Sequence, residues 1–177
     1  MSIFLVIDQS EAGFFTTATC LDWKPLLDDD LNKQIVIESM RFLVARERAV
    51  IYAFVIMPNH MHLVWRFLSG NTREDVQRDF LRYTSQRIIQ ILRNLKSPVL
   101  GEISVDARDR THQVWERNSL NVPLWTPSIW NQKIGYVHWN PVKAGLCSHP
   151  EEYPYSSARR YASLCCEWDF LTVFDRG

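Results

Sequence analysis

Two histidines separated by one residue, His60 and His62, are the strongest candidates for chemistry in this sequence. On a β-strand, side chains two residues apart lie on the same face, with their backbone positions about 6.5–7 Å apart. Two imidazoles at that spacing can converge on one metal ion. The pair taken alone fits a structural role as well, so the spacing by itself leaves both interpretations open.

Tyr136 and Asn140 form a second pair of polar residues whose spacing places them together. Residues four apart lie on the same face of an α-helix. Taken alone, the pair also fits a tyrosine that packs against the core and a helix that ends before Pro141.

The segment that begins with the histidine pair predicts a β-strand. Segment 60–67, HMHLVWRF, has the alternation that is typical of a strand with two different faces. Its odd-numbered residues are apolar and should face the core. His60, His62, Val64 and Arg66 share the other face, which we expect to lie outside the core.

The remaining elements follow from apolar periodicity and from turn residues. Strands are predicted over 14–21, 50–57 and 114–117, and helices over 31–47, 72–95 and 128–140, with loops at 97–109 and 118–127. Pro141 should end the last helix or kink it, and Gly145 suits a terminal cap. This order predicts a single α+β domain over residues 1–177. We expect a ferredoxin-like β-α-β-β-α-β sandwich with an additional C-terminal helix that carries Tyr136.

Composition constrains the class of protein. The 177 residues are 46% hydrophobic and 23% charged, with a formal net charge of zero. Zero net charge counts against a protein that coats DNA, although it permits a local basic groove.

We expect no membrane partner, because no run of about 18 apolar residues occurs. The N-terminus lacks the basic leader of a secretory signal. Four cysteines without a C-x-x-C pair indicate free thiols in a reducing cytoplasm: Cys20, Cys147, Cys165 and Cys166.

Two groups of arginines each allow two interpretations. Arg78 and Arg82 lie opposite the apolar side of helix 72–95, where they form either a solvated face or a ridge that follows phosphates. Arg159 and Arg160 are either an exposed basic pair or a contact to DNA.

Three segments together carry a resemblance to a known family. They are AFVIMPNHMHLVW (53–65), YVHWNPVKAGL (136–146) and PEEYPYSSARRY (150–161). In combination they resemble the REP-associated tyrosine transposases, which belong to the single-tyrosine HUH transposases. The similarity extends over most of the chain, from about residue 14 to residue 161. The combination of P-N-H-x-H with Y-x-x-x-N-P-V-x-A-G is far more specific than either motif.

The resemblance implies a metal-dependent DNA nuclease and strand-transferase. His60 and His62 match the metal-binding histidines, Asn140 matches a third ligand through oxygen, and Tyr136 matches the nucleophile. The implied ion is Mg²⁺ or Mn²⁺, and imidazole ligands favour Mn²⁺ somewhat over Mg²⁺. The implied substrate is single-stranded DNA or the flank of a DNA hairpin, joined to tyrosine through its 5′-phosphate. We expect the DNA to contact Arg66, Arg78, Arg82, Lys133, Lys143, Arg159 and Arg160.

Several alternatives stay open at this point. A phenol is a poor nucleophile at neutral pH, so the attacking tyrosine must be activated by the metal ion or by a base. The candidates for that base are His138, Lys133 and the DNA itself. The resemblance implies either a homodimer that pairs the histidines of one copy with the tyrosine of the other, as single-tyrosine transposases often form, or a monomer, as for relatives of the REP-associated kind. Two other functions are a non-cleaving protein that binds structured nucleic acid and a hydrolase of small phosphoesters.

Overall fold

The computed structural model describes residues 12–163 and 168–175. The strands of its main sheet and its longer helices follow the predicted order of β-α-β-β-α-β and a C-terminal helix, which confirms the α+β class. The elements are β1 (Gly13–Thr19), α1 (Asp30–Ala45), β2 (Ala49–Ile56), β3 (His60–Phe67), α2 (Arg73–Asn94), α3 (Val99–Glu102), β4 (Ser104–Ala107), β5 (Arg110–His112), β6 (Leu120–Leu124), α4 (Pro127–Lys143) and α5 (Ala158–Tyr161). Two short 3-10 turns span Leu21–Trp23 and Pro150–Glu152.

The main sheet has four strands in the order β2-β3-β1-β6, and every neighbouring pair is antiparallel. In the central pair, Thr17 of β1 lies opposite His62 of β3, and Thr19 lies opposite His60. The histidines therefore lie on a central strand of the sheet, at the end where that strand begins.

Both faces of this sheet are covered by helices. Met61, Leu63 and Trp65 of β3 pack with α1 and α2 in one apolar cluster. The opposite face was predicted to lie outside the core, and that prediction is wrong. Val64 of β3 is completely buried there, in a second cluster that α4 completes.

The apolar side of α4 explains this second layer. Trp130, Ile134 and Val137 recur at helical spacing and are all buried against the sheet. The Trp130 ring lies directly over Gly13, where a Cβ atom would come within 2.1 Å of it. Glycine at this position of β1 is therefore what lets α4 approach the sheet closely.

Helix α4 continues through Pro141 and ends at Lys143, so the predicted end at residue 140 is wrong. Thr126 caps its N-terminus by accepting a hydrogen bond from the amide of Ile129. A proline in the last turn removes only its own N–H, and the helix continues beyond it. The predicted cap at Gly145 is confirmed, with φ of 72° and an N–H that donates to the carbonyl of Val142. The continuation keeps Asn140 in helical geometry.

The fourth strand of the sheet is β6, so its predicted position at 114–117 is wrong. Trp115 forms only an isolated bridge to Cys20, and both its side chain and that of Val114 are buried in the cluster beside α2. Strand β6 contains Pro123, which an edge strand tolerates, and among the described residues no strand pairs with its outer side. The predicted loop over 97–109 instead contains α3, β4 and the turn into β5.

Cys20 and Cys147 are free thiols, as predicted. Burial raises the pKa of Cys20 to about 12, so this thiol is unreactive. Cys165, Cys166 and the N-terminal segment 1–11 lie outside the described residues. Within the described ranges, no helix is both long enough and apolar enough to cross a membrane.

Candidate active site

His60 and His62 open strand β3 on the face that α4 covers. Their rings lie 4.8 Å apart between centroids, at an angle of 74°. His62 is buried, with 4% of its surface exposed, and His60 is half-buried. The strand thus brings the two imidazoles together in the manner that their spacing predicted.

Each imidazole is held by a hydrogen bond at Nδ1. The Nδ1 atom of His62 lies 2.8 Å from the Thr17 hydroxyl, and that of His60 lies 2.7 Å from the side-chain oxygen of Asn59. In the tautomer that donates from Nδ1, the lone pair of each ring lies on Nε2. Such bonds at the far nitrogen are what fixes histidine ligands in metal sites.

The surroundings of the histidine pair favour the neutral form of both imidazoles. Burial lowers the pKa of His60, and it lowers the pKa of His62 to about 3, with the charges of His60 and Lys133 acting in the same direction. A neutral imidazole is the form that binds a metal ion.

Helix α4 brings Tyr136 and Asn140 to this pair. The Asn140 amide nitrogen lies 3.2 Å from Nε2 of His62. The Tyr136 ring lies 5.2 Å from the His62 ring and 5.7 Å from the Phe15 ring, edge-on to both. Tyr136 is 40% exposed, so part of its side chain is accessible from solvent. The structure therefore gathers all four candidate residues at one place.

The donor chemistry of this cluster fits a divalent metal ion. Among the described residues, no three His, Cys, Asp or Glu side chains gather at one point, so a third protein ligand must be of another type. The amide of Asn140 is such a group, because its nitrogen and oxygen positions are assigned from hydrogen bonding and a half-turn exchanges them. Two imidazole nitrogens and one amide oxygen leave coordination positions open for phosphate and water.

Lys133 and Lys143 are the two predicted DNA-contacting residues that lie at the cluster. Both extend from α4 on the side that carries Tyr136, with their ammonium groups 5.7 Å and 5.5 Å from the centre of its ring. Lys133 also lies 4.7 Å from the centre of the Phe15 ring. The tyrosine is thus flanked by two positive charges.

The structure does not bring the predicted arginines to the cluster. Arg66 lies at the other end of β3, roughly 20 Å along the strand from His60. Arg159 and Arg160 are exposed on α5, beyond the β2 edge of the sheet.

Arg78 and Arg82 lie on the exposed side of α2. They form ion pairs with Asp75 and Asp79 of the same helix, as a solvated face would. They also line an open groove of about 810 Å³ between α2 and segment 109–119. The described residues that line this groove include six arginines and three carboxylates: Arg73, Arg78, Arg82, Arg93, Arg110, Arg117, Glu74, Asp109 and Glu116. With the partner carboxylates Asp75 and Asp79 counted, the surplus of positive charge is small.

His138 lies on the side of α4 that faces away from the nucleophile candidate. Its Nε2 atom lies 2.8 Å from the Ser157 hydroxyl, which is anchored to the backbone of Phe54 on β2. Burial lowers the pKa of His138 to about 4. The hypothesis that His138 is the base for Tyr136 is therefore wrong.

Three positioning residues were missed by sequence reasoning. They are Thr17 and Asn59, which hold the two imidazoles, and Phe15, whose ring stacks on His62 at 5.3 Å and contacts Tyr136. Phe15 and Thr17 alternate on β1, which signals a common face. Nothing in a single sequence gives the register that places this face beside the histidines.

We predict that Thr17→Val weakens Mn²⁺ binding by about 10- to 100-fold, because His62 loses the hydroxyl that orients it. Valine has the shape of threonine and suits a strand, so the fold should be retained. Mn²⁺ binding can be titrated by electron paramagnetic resonance. Thr19→Val, on the same face of β1, is the matched control and should bind Mn²⁺ as the wild type does. Equal affinities for both variants would show that Thr17 does not position the site.

Comparison with known proteins bears on the fold. No protein-family model matches the sequence, and no curated protein matches it. Among solved structures, the chain is similar to a REP-associated tyrosine transposase bound to a REP hairpin, with a TM-score of 0.63 and 16% identity. That similarity covers 99% of this chain and 93% of the transposase.

The chain therefore has the fold of a REP-associated tyrosine transposase. A protein from Deinococcus radiodurans R1, described provisionally as a transposase, is similar at a TM-score of 0.49 and 14% identity. That similarity covers 71% of this chain and 87% of the other.

Proposed function

We propose that the protein is a metal-dependent endonuclease and strand-transferase for single-stranded DNA, with Tyr136 as its nucleophile. The observation that carries the proposal is the position of Tyr136 against His62, with Asn140 bonded to the same imidazole. A nucleophile beside two imidazoles that can hold a divalent ion suits metal-assisted phosphodiester transesterification.

The reaction exchanges one phosphate ester for another. The Tyr136 oxygen attacks the scissile phosphorus, the bond from phosphorus to the 3′-oxygen breaks, and the phenol proton passes in net terms to that leaving oxygen. The products are a 5′-phosphotyrosine and a strand with a free 3′-hydroxyl. The number of phosphate ester bonds is unchanged by this step. A second 3′-hydroxyl can therefore attack the phosphotyrosine and join two strands. A divalent ion held by His60, His62 and Asn140 would supply Lewis-acid charge at the phosphate oxygens.

The remaining residues of the cluster position the reacting groups. Phe15 contacts both the Tyr136 ring and the His62 ring, and so fixes the nucleophile relative to the ligands. Lys133 and Lys143 flank the tyrosine, where their charge favours approach of a phosphate. Of the two side chains that were candidates for its activation, Lys133 is the one that lies beside the tyrosine, with its ammonium group 5.7 Å from the centre of the ring.

The arrangement also favours a reaction within one chain. Tyr136 and the histidine pair belong to the same chain and are already in contact. A monomer would therefore contain every group that the reaction needs, whereas the alternative homodimer would have to exchange α4 between copies.

The proposed substrate is a single strand that flanks a DNA hairpin. The solved transposase of the same fold is bound to a REP hairpin. The six arginines that line the groove beside α2 offer hydrogen-bond donors for phosphates, although the chain as a whole is neutral.

Incubation of the protein with single-stranded hairpin DNAs and Mg²⁺ or Mn²⁺ tests this function. We expect strand cleavage that leaves a free 3′-hydroxyl and attaches the other fragment to protein. Tight binding without cleavage under either ion would replace the proposal with a non-cleaving nucleic-acid-binding function.

A further inference from the structure

The side chain of Trp23 stands beside the candidate active site and projects into solvent. It is 61% exposed, which makes it the most exposed of the seven tryptophans. Its indole contacts the His60 ring edge-on, with 5.7 Å between centroids. From Trp23 through His60 and His62 to Tyr136, each ring lies less than 6 Å from the next. A group stacked on this indole would therefore lie close to the reacting phosphate.

The backbone that carries Trp23 is strained. Asp22 and Trp23 have φ values of 51° and 56°, in the left-handed region that disfavours side chains other than glycine. Two such residues in succession persist only where the surroundings fix them. Because the Trp23 side chain is exposed, its burial contributes little free energy to offset this strain. Stability therefore does not explain why a tryptophan occupies the position.

Several hydrogen bonds fix this turn relative to the histidines. The amide of Asp22 donates to the carboxylate of Glu116 at 2.8 Å, and the amide of Trp23 donates to the carbonyl of Cys20 at 3.0 Å. The amide of Cys20 in turn donates to the carbonyl of Asn59, whose side chain holds His60. The position of the indole is thus coupled to the position of a proposed metal ligand.

We infer that Trp23 is a stacking platform for one nucleobase of the single strand next to the scissile phosphate. The inference rests on the proposed function for its substrate, single-stranded DNA, but it does not require cleavage. An indole face accepts any base, because every base has a π-face, so this contact would hold the strand without reading its sequence.

Binding of a fluorescent hairpin DNA with single-stranded flanks, measured without divalent metal, tests the inference separately from cleavage. We expect Trp23→Ala to weaken binding about 5- to 150-fold, as loss of one stacked base does. Trp23→Phe should keep most of the affinity. Trp125→Ala is the matched control, because Trp125 is 39% exposed and follows the end of β6 that is remote from the histidines. It should bind as the wild type does.

A glycine variant separates binding from stability. Trp23→Gly relieves the left-handed strain, so its melting temperature should equal or exceed that of the wild type while its DNA affinity falls. Each nucleotide of the single strand can also be replaced in turn by an abasic one. At one position, we expect this replacement to weaken binding by the wild type but to leave the affinity of Trp23→Ala unchanged. Affinity within twofold of the wild type for Trp23→Ala and Trp23→Gly would overturn the inference, as would equal losses for both proteins at every abasic position. Stacking without cleavage under Mg²⁺ or Mn²⁺ would support it and refute the nuclease proposal.

Discussion

Replacing Tyr136 with phenylalanine should lower the yield of covalent protein–DNA adduct by at least roughly a thousandfold, because the variant has no oxygen with which to attack phosphorus. The edge-on contacts of the ring with His62 and Phe15 do not involve the hydroxyl, so the fold should be unchanged. Denaturing gel electrophoresis of labelled hairpin DNA incubated with Mn²⁺ measures the adduct.

Tyr83→Phe provides the matched control for this experiment. Tyr83 lies on α2 and is 50% exposed, compared with 40% for Tyr136, so both substitutions remove a hydroxyl from a partly exposed tyrosine. The Tyr83 variant should form adduct at the wild-type rate. An adduct that persists in Tyr136→Phe would refute the assignment of the nucleophile.

His62→Gln should reduce metal-dependent cleavage by at least about a hundredfold, because it removes a ligand rather than a residue that only orients one. His62 has only 4% of its surface exposed, so its replacement must preserve the packing around it. Glutamine fills much of the same space and should disturb that packing little. The measurement is the initial rate of cleavage against Mn²⁺ concentration. A rate that returned to the wild-type value at high Mn²⁺ would indicate weakened affinity alone.

His138→Gln distinguishes loss of a ligand from loss of stability. His138 is also buried, and it lies on the same helix as Tyr136, but it bonds to Ser157 and faces β2. Once corrected for the folded fraction, cleavage by this variant should match that of the wild type. If His138→Gln and His62→Gln lose the same activity per folded molecule, the histidine pair has no special role.

The parts of the site that sequence predicted are those fixed by local periodicity. The alternation of β3 places His60 and His62 on one face whatever the rest of the chain does. The helical period likewise places Tyr136 and Asn140 together. The family resemblance supplied the link between the two pairs, which are far apart in sequence. The structure places the two pairs in contact.

The parts that sequence missed depend on contacts between distant segments. Thr17 reaches His62 only through the register of β1 against β3, which no local pattern specifies. The second apolar layer depends on Gly13, whose role appears only when Trp130 lies over it. The fourth strand was misplaced because Val114 and Trp115 have strand-like sequence, yet their side chains fill the core beside α2.

Mass spectrometry of the wild-type adduct tests the central claim most directly. Trypsin should release Tyr136 in the peptide that spans residues 134–143, which contains no other tyrosine. After nuclease digestion of the bound DNA, we predict that this peptide carries a nucleotide through a phosphotyrosine bond. A nucleotide attached to one of the other five tyrosines, or cleavage that leaves no attached nucleotide, would contradict the account.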